Sequence, residues 1–258
     1  MKTRIAIIGG TGLEEAFTEG IHTRIGTPYG PSPIMKIVSV GAKDIVFMPR
    51  HGEKHTLPPH MINYRANIWV LHMMGVERIL STNAVGAINP EIKPDNMVVP
   101  SDFIDFTRLR ATTFYDEPPV THIDASNVYC PELRRVLCEN AGQDGKSVHE
   151  KGTYICTEGP RYESSAEIQM FKSWGCDVVG MTGLPEAVLA HELGMCYASL
   201  CYVTNMATGI STHLSAEDIS SKGRRMTEKL QRILLGAVEA TPRKRSCHCS
   251  ESLEGARV

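Results

Sequence analysis

Three segments of the sequence carry groups that suit an anionic ligand. Gly9-Gly10-Thr11-Gly12 follows an apolar run, and its backbone N–H groups with the Thr11 hydroxyl can surround a phosphate. Arg50-His51 supplies a guanidinium and an imidazole that can each donate to phosphate oxygens. Thr182 places a hydroxyl just before a predicted helix start. Each segment alone is more typical of a tight turn, a loop or a helix N-cap, but together they indicate a phosphate site.

A second group of residues offers a flat surface and hydrogen bonds. Asn83 and Ala84 leave a strand among small residues, which lets a ligand approach the backbone closely. Tyr162 provides an aromatic face, and the neighbouring Glu163 provides a carboxylate. Asn205 puts a carboxamide after another apolar run. An ordinary strand exit and a surface turn with a helix-dipole glutamate are the alternatives for the first two segments.

Two other kinds of site are disfavoured by the spacing. His51 and His55 flank Glu53, but Gly52 and the nearby Pro58-Pro59 disfavour the helix that would align both imidazoles on a metal. We therefore predict no metal here. A dinucleotide-binding loop would require G-x-G-x-x-G, and no third glycine follows Gly12 at that spacing.

Composition limits the class of partner. The chain has 258 residues, 42% hydrophobic and 22% charged, with a formal net charge of −2. This length suits one large α/β domain, and the charge balance predicts neither nucleic acid nor a membrane as a partner. No apolar stretch approaches a membrane span, and the apolar run that reaches Gly9 is too short for a signal peptide. The cytoplasm is the expected compartment.

Alternating strand and helix patterns position these segments. Short β-rich runs at 3–8, 44–47, 78–81, 97–99 and 199–203 end in Gly, Asn, Pro or Thr, while 61–74 and 185–193 have helical patterns. Ser164 and Glu167 have capping-box spacing and predict a helix start there. We predict a single α/β domain over 1–240, with a mixed central β-sheet flanked by helices. Residues 241–258 are predicted to form a mobile or loosely docked tail containing Cys-x-Cys.

The motifs together resemble a known enzyme family. These are Gly-Gly-Thr-Gly, Arg-His-Gly-x-x-His-Thr, Asn-Tyr-Arg-Ala-Asn-Ile-Trp at 63–69, Glu-Gly-Pro-Arg-Tyr and Met-Thr-Gly-x-Pro-Glu. From Ile5 to about Leu235 the sequence is similar to the purine nucleoside and methylthioadenosine phosphorylases with a trimeric core. It most resembles the 6-oxopurine-selective archaeal and bacterial members. The resemblance implies a homo-oligomer, either a trimer or a dimer of trimers, with inorganic phosphate as a co-substrate and no cofactor.

The resemblance also implies a role for each site residue. Phosphate would be bound by Thr11, Arg50, His51, Asn83, Ala84 through its backbone, and Thr182. Base and ribose would be bound by Tyr162, Glu163, Met181, Asn205 and Ala207, and catalysis would depend on Asn205, Glu163 and His51. His122 would be supplied by a neighbouring subunit near the 5′ end of the sugar, although by sequence alone it is an ordinary loop histidine.

Substrate choice depends on the base pocket. The methylthioadenosine branch of the family has Thr-Asp-x-Asp where this chain has Thr204-Asn205-Met206-Ala207. Both aspartate carboxylates that would bind adenine are therefore absent from this chain. Glu163, when ionised, only accepts hydrogen bonds and so matches the N1–H of hypoxanthine or guanine. We expect phosphorolysis of inosine and guanosine in purine salvage. The alternatives are a methylthioinosine or methylthioadenosine phosphorylase and, from another class, a nucleotide-binding or sensing module.

The cysteines add a further expectation. Cys138, Cys196, Cys201, Cys247 and Cys249 are arranged similarly to the cysteines of disulfide-bearing archaeal family members. That resemblance suggests Cys138–Cys201 and Cys196 with Cys247 or Cys249 as pairs. Sequence alone does not establish connectivity, so buried thiols compete closely with bridges. A metal site at Cys247-His248-Cys249 is a third option.

Overall fold

The computed structural model describes residues 4–10, 13, 17, 20–52, 55–143, 147–210 and 216–258. Within these ranges the strands are β1 Ile5–Gly9, β2 Ile21–Thr23, β3 Gly26–Thr27, β4 Gly30–Pro31, β5 Met35–Val40, β6 Lys43–Pro49, β7 Arg78–Ala87, β8 Met97–Val98, β9 Asp102–Phe106, β10 Val148–His149, β11 Thr153–Thr157, β12 Val178–Gly180 and β13 Cys196–Met206. The α-helices are α1 Tyr64–Met73, α2 Pro131–Gly142, α3 Ser165–Ser173, α4 Glu186–Glu192 and α5 Ala216–Ala240. None of the described helices is long and apolar enough to cross a membrane.

Eleven of the strands form one mixed sheet, which confirms the predicted fold class. The order β10-β8-β13-β7-β1-β6-β5-β2 places the two longest strands, β7 and β13, side by side and parallel. A second branch runs from β7 through β12 and β11 to β9. Antiparallel pairs occur at β5–β6 and β12–β7, so the sheet is mixed rather than wholly parallel.

Strand β7 changes neighbours along one of its edges. It pairs with β1 up to Ser81 and with antiparallel β12 from Gly86 onward, while β13 continues along the opposite edge. The segment Thr82–Val85 therefore lies between two sheet neighbours on that edge. Backbone and side chains at such a break are accessible to a ligand, and α/β sheets often bind ligands where strand connections diverge.

Apolar cores cover both faces of the sheet. Helices α1 and α4 pack on one face of the sheet, and α2 and α5 pack on the other. Strand β13 contributes to both cores because its alternate side chains point to opposite faces. Cys201 belongs to the first core, whereas Cys138 packs against the second. The structure therefore contradicts the Cys138–Cys201 pair, since the sheet separates the two thiols.

Local signals explain several helix starts. The Ser164 side chain accepts a hydrogen bond from the Glu167 N–H, and Glu167 accepts in return from the Ser164 N–H, which confirms the predicted capping box. Helix α1 begins three residues later than the pattern predicted because Asn63 is its N-cap and accepts from the Ala66 N–H.

The C-terminal segment, residues 241–258, is more firmly docked than predicted. Thr241 and Cys249 are buried, and the Val258 N–H donates to the Val120 carbonyl. Thr121 and Arg257 form an isolated antiparallel bridge. Apolar burial and backbone hydrogen bonds at both ends of the segment hold it on the body, which the polar composition of the segment did not indicate.

Candidate active site

One cleft opens at the break in β7 and brings together most of the predicted site residues. Its volume is about 250 Å³. The predicted residues that line it are Arg50, His51, Asn83, Ala84, Tyr162, Glu163, Met181, Thr182, Asn205 and Ala207. They come from the middle of β7, from the ends of β6, β12 and β13, and from the loop before α3. Strand ends that meet at one edge thus gather residues that are far apart in sequence.

Arg50 is buried in an ion pair that the sequence did not indicate. Its Nε and Nη2 donate to the two carboxylate oxygens of Glu186 at 2.7 and 2.6 Å, and its Nη1 donates to the Thr82 carbonyl at 2.8 Å. Both side chains are fully buried. Burial opposes the charge of Arg50, but Glu186 outweighs it and raises the pKa of the guanidinium. Three of the five guanidinium N–H groups are thus used, and two remain for a phosphate. Contrary to the expectation from the sequence, the whole guanidinium fork is not available to the phosphate.

His51 is held as a neutral imidazole. Its Nδ1 lies 2.8 Å from the Leu57 carbonyl oxygen, which fixes the proton on Nδ1. Burial, together with the adjacent His55, lowers the pKa of His51 to about 3. The remaining nitrogen, Nε2, is then an acceptor rather than the donor that we expected. It suits a phosphate oxygen that carries a proton.

Asn83 and Thr182 form a buried polar chain in the same cleft. The Thr182 hydroxyl donates to Asn83 Oδ1 at 2.7 Å, and Asn83 Nδ2 donates to the Ser199 hydroxyl at 2.6 Å. The Thr182 and Gly183 N–H groups both donate to the Tyr154 hydroxyl. Thr182 must therefore rotate its hydroxyl to donate to a phosphate, since its proton is already used.

The glycine loop is described only in part. Thr11 lies outside the described residues, so its predicted role has no structural description. Gly10 lines the cleft, and its N–H donates to the Thr82 hydroxyl at 3.0 Å. A Cβ at Gly10 would lie 2.9 Å from the Thr82 carbonyl oxygen and 3.3 Å from Arg50 Nη1. Glycine is required here because a Cβ would clash with the Thr82 carbonyl oxygen, which itself accepts a hydrogen bond from Arg50.

Glu163 stands at the other side of the cleft, deeply buried. Its Oε1 accepts a hydrogen bond of 2.6 Å from the Thr157 hydroxyl. Burial raises the pKa of Glu163, although the Thr157 bond works in the opposite direction. An ionised carboxylate accepts about four hydrogen bonds, so acceptor capacity remains for a ligand. The neighbouring Tyr162 is 39% exposed, as suits an aromatic face at the rim.

A β-bulge positions Asn205. The register of β13 against β7 shifts between Val203 and Asn205, and such a bulge redirects the following side chain. Asn205 Oδ1 accepts from the Thr204 hydroxyl at 2.6 Å, and Nδ2 donates to the Met206 carbonyl at 2.8 Å. One N–H of the amide is left for a ligand. A Cβ on Gly86 would lie 3.3 Å from Nδ2, so glycine gives the amide its room.

The remaining predicted residues divide between two places. Met181 and Ala207 line the cleft, and Met181 Sδ would lie 2.7 Å from a Cβ on Gly159. His122 is exposed and lies away from the cleft, beside the C-terminal segment, where its N–H donates to the Ala256 carbonyl at 2.8 Å. Within one chain, the structure therefore does not bring His122 to the other site residues.

Two supporting residues were missed by the sequence analysis. Glu186 was part of a quoted motif without a role, and an acidic residue in the first turn of a helix is common enough to hide its pairing with Arg50. Thr157 ends β11 and buries its hydroxyl against Glu163. No local pattern marks Thr157, since its partner lies in a loop.

Comparison with known proteins places this geometry in a family. Residues 4–239 match the model of the Phosphorylase superfamily. A probable 6-oxopurine nucleoside phosphorylase of Moorella thermoacetica is 49% identical over 96% of both chains. A probable S-methyl-5′-thioinosine phosphorylase of Methanopyrus kandleri is 46% identical over 99% of this chain and 100% of its own. The crystal structure of a methylthioadenosine phosphorylase from an Antarctic soil metagenomic library superposes with a TM-score of 0.91 at 32% identity, covering 100% of this chain and 93% of that one. The chain belongs to the phosphorylase superfamily.

Proposed function

We propose that the protein catalyses the reversible phosphorolysis of 6-oxopurine nucleosides, inosine and guanosine, to the free base and ribose 1-phosphate. The observation that carries this proposal is the pairing of Glu163 and Asn205 in one cleft with the candidate phosphate ligands. The names of the relatives differ in the purine base and in the 5′ group of the nucleoside. The purine preference of this chain is therefore argued from its own base pocket.

Glu163 selects the keto form of the base. The N1–H of hypoxanthine or guanine donates to the carboxylate. N1 of adenine is itself an acceptor, so its lone pair would face the lone pairs of the carboxylate without a hydrogen bond. Burial of Glu163 makes that mismatch costly, because neither group recovers its hydrogen bond from water. A site built on such bonds rejects the wrong base by about 10⁴-fold.

Asn205 stabilises the departing base. As the bond from C1′ to N9 breaks, electron density moves into the purine, and the remaining N–H of Asn205 donates to O6 or N7. The bonds from Thr204 and to Met206 hold the amide in place before the reaction. Loss of one such preorganised donor typically costs about 10²-fold in rate or more.

The phosphate is the nucleophile, and it attacks C1′ from the face opposite the base. The sugar then resembles an oxocarbenium ion, so positioning and dipoles contribute more than covalent catalysis. In this proposal the two remaining N–H groups of Arg50, the Thr182 hydroxyl and the backbone of Ala84 bind phosphate oxygens. Neutral His51 accepts the proton of a P–OH group through Nε2. Thr11 and Asn83 complete the set proposed from the family motif.

The assembly and setting are part of the proposal. We propose a trimer or a dimer of trimers in which His122 of one subunit completes the 5′ end of a neighbour's site, since His122 lies outside the cleft of its own chain. The reaction needs no cofactor, because phosphate is itself a substrate. The cytoplasm is the proposed compartment, on the composition argument made from the sequence.

Methylthioinosine phosphorolysis is the second candidate. Its base has the same keto edge as inosine, so Glu163 and Asn205 accept both nucleosides equally. The observation in its favour is the 46% identity to a probable S-methyl-5′-thioinosine phosphorylase of Methanopyrus kandleri. A nucleotide-sensing module fits less well, because it would not need this convergence of phosphate and base groups.

Steady-state kinetics separates these functions. We expect kcat/KM to be highest for inosine, guanosine or methylthioinosine, with activity strictly dependent on phosphate. Adenosine or methylthioadenosine cleaved faster than inosine would refute 6-oxopurine selectivity. Base release without added phosphate, or no turnover of any nucleoside, would refute phosphorolysis itself.

A further inference from the structure

Four cysteines from three separate parts of the chain converge below the C-terminal segment. Cys130 precedes α2, Cys196 begins β13, and Cys247 and Cys249 belong to the C-terminal segment. All four sulfur atoms lie within 4.8 Å of one another. Three of these side chains are buried and that of Cys247 is half-buried. These four residues are called the cysteine cluster below.

The cluster has the dimensions of a tetrahedral metal site. Four thiolates around one Zn²⁺ at about 2.3 Å have sulfur–sulfur edges of about 3.8 Å. The mutual distances in the cluster fit that scale, so one ion can reach all four atoms with small side-chain adjustments. An all-sulfur tetrahedral set favours zinc over hard cations such as Mg²⁺ or Ca²⁺.

The backbone around the cluster is fixed by contacts that do not involve the sulfur atoms. Arg245 Nη1 donates to the Gly194 carbonyl at 2.7 Å, just before β13. The Ser246 N–H and hydroxyl donate to one oxygen of Glu132 at 2.7 and 2.6 Å, at the start of α2. The residues leading into Cys247 are thus tied to the two elements that carry the other cysteines. Such preorganisation reduces the entropic cost of binding an ion.

The N-terminus of α2 also favours negative charge at the cluster. Cys130 is the N-cap residue of this 12-residue helix and so lies at the positive end of the helix dipole. The dipole stabilises the negative charge that a Cys130 thiolate would carry as a metal ligand.

We propose that the cysteine cluster binds one Zn²⁺ as four thiolates and that this ion fastens the C-terminal segment to the body of the protein. Each thiol loses its proton to solvent as its sulfur binds the ion, and no oxidation occurs. Two disulfides from the same cysteines would exclude the ion. The Cys196 and Cys247 sulfur atoms, one of the pairs suggested from the sequence, lie 3.3 Å apart, whereas a disulfide bond is about 2.05 Å long. Because all four sulfur atoms lie within 4.8 Å of one another, one ion can bind them together, and this favours the metal.

The site has a consequence for the loop that carries His122. Seven residues after Cys249, the Ala256 carbonyl accepts the hydrogen bond of the His122 N–H. The ion would therefore hold, through the C-terminal segment, the loop that the proposed function assigns to a neighbouring site. This step rests on the proposed function, whereas zinc binding itself does not.

Metal analysis of the full chain, purified without chelator or reductant, tests the proposal. We expect one tightly bound zinc per chain that survives gel filtration and is released to a metallochromic dye by a mercurial thiol reagent. Replacement by Co²⁺ should give the near-ultraviolet charge-transfer bands of tetrahedral thiolate coordination. Wild-type protein without zinc, whose cluster thiols are either alkylated in the native state or joined in disulfides by intact mass, would overturn the proposal.

Matched variants assign the ligands. Cys130→Ser should reduce the zinc content at least tenfold, while Cys138→Ser, a half-buried cysteine outside the cluster, should leave it unchanged. Equal zinc content in both variants would contradict the assignment. If Cys130→Ser does not fold, the metal content and cobalt spectrum of the wild type still decide. Zinc without phosphorolysis would refute only the proposed function, and phosphorolysis without zinc would refute only the metal site.

Discussion

Neutralising Glu186 should expose the cost of the buried guanidinium in the phosphate site. Arg50 and Glu186 are joined by hydrogen bonds of 2.6 and 2.7 Å with both side chains fully buried. Glu186→Gln leaves the Arg50 charge without a partner, which costs about 3–5 kcal/mol of unfolding free energy. For a chain of this size that corresponds to a fall in Tm of about 6–20 °C. Phosphate brings negative charge back to the guanidinium, so it should raise the Tm of the variant more than that of the wild type.

Thermal unfolding with and without phosphate measures both effects. The control is Glu192→Gln, because Glu192 is also buried but accepts its hydrogen bonds from neutral donors, the Thr113 hydroxyl and the Phe114 N–H. Its loss should be about 1–3 kcal/mol, with no added response to phosphate. A Glu186→Gln protein that melts within about 2 °C of the wild type would refute the reasoning, as would an equal phosphate effect in all three proteins.

Three further changes test the base and phosphate pockets. Thr157→Val removes a hydrogen bond that lowers the pKa of Glu163, so the pKa of this carboxyl should rise. The acid limb of the pH profile of kcat/KM for inosine should then move to higher pH, and an unmoved limb would contradict this. The pKa of His51 is about 3 in the folded protein, below the ordinary value of 6.5 that it has when unfolded. The neutral form of His51 therefore contributes stability that is fully present above pH 6.5 and is lost as the pH falls toward 3. In urea unfolding, the free energy of unfolding should fall between neutral pH and about pH 4.5, and it should fall by about 2 kcal/mol less in His51→Asn than in the wild type. An equal fall in both proteins would contradict this. Gly86→Ala displaces the base-pocket asparagine by a few tenths of an ångström and should lower inosine kcat/KM about tenfold, whereas Gly26→Ala, whose Cβ meets nothing within 4 Å, should not; equal effects would contradict this assignment.

Sequence patterns located the strands that carry the site but not their full extent. The apolar run at 78–81 predicts only the start of β7, which continues to Ala87. Asn83, Ala84 and Gly86 in its later part line the cleft, and these residue types are depleted in strands, which weakens the strand signal. The capping box at Ser164 was predictable because both partners lie within one helical turn.

Long-range pairings could not be predicted in the same way. The Arg50–Glu186 pair joins residues 136 apart, and their contact depends on how β6 and α4 meet at one sheet edge. The acceptor state of His51 likewise depends on the Leu57 carbonyl and on burial. Convergence of four cysteines required the docking of a C-terminal segment that has the composition of a loose tail. Local patterns carry no information about these tertiary contacts.

The central claim is that an acceptor-only carboxylate at Glu163 selects the keto purine. The most direct test is the ratio of kcat/KM for inosine to that for adenosine, measured for the wild type and Glu163→Gln under identical phosphate. The glutamine amide both donates and accepts, so it can satisfy N1 of either base. We predict a wild-type ratio of about 10⁴ that falls at least 10²-fold in the variant. A ratio that is the same in both proteins would contradict the account.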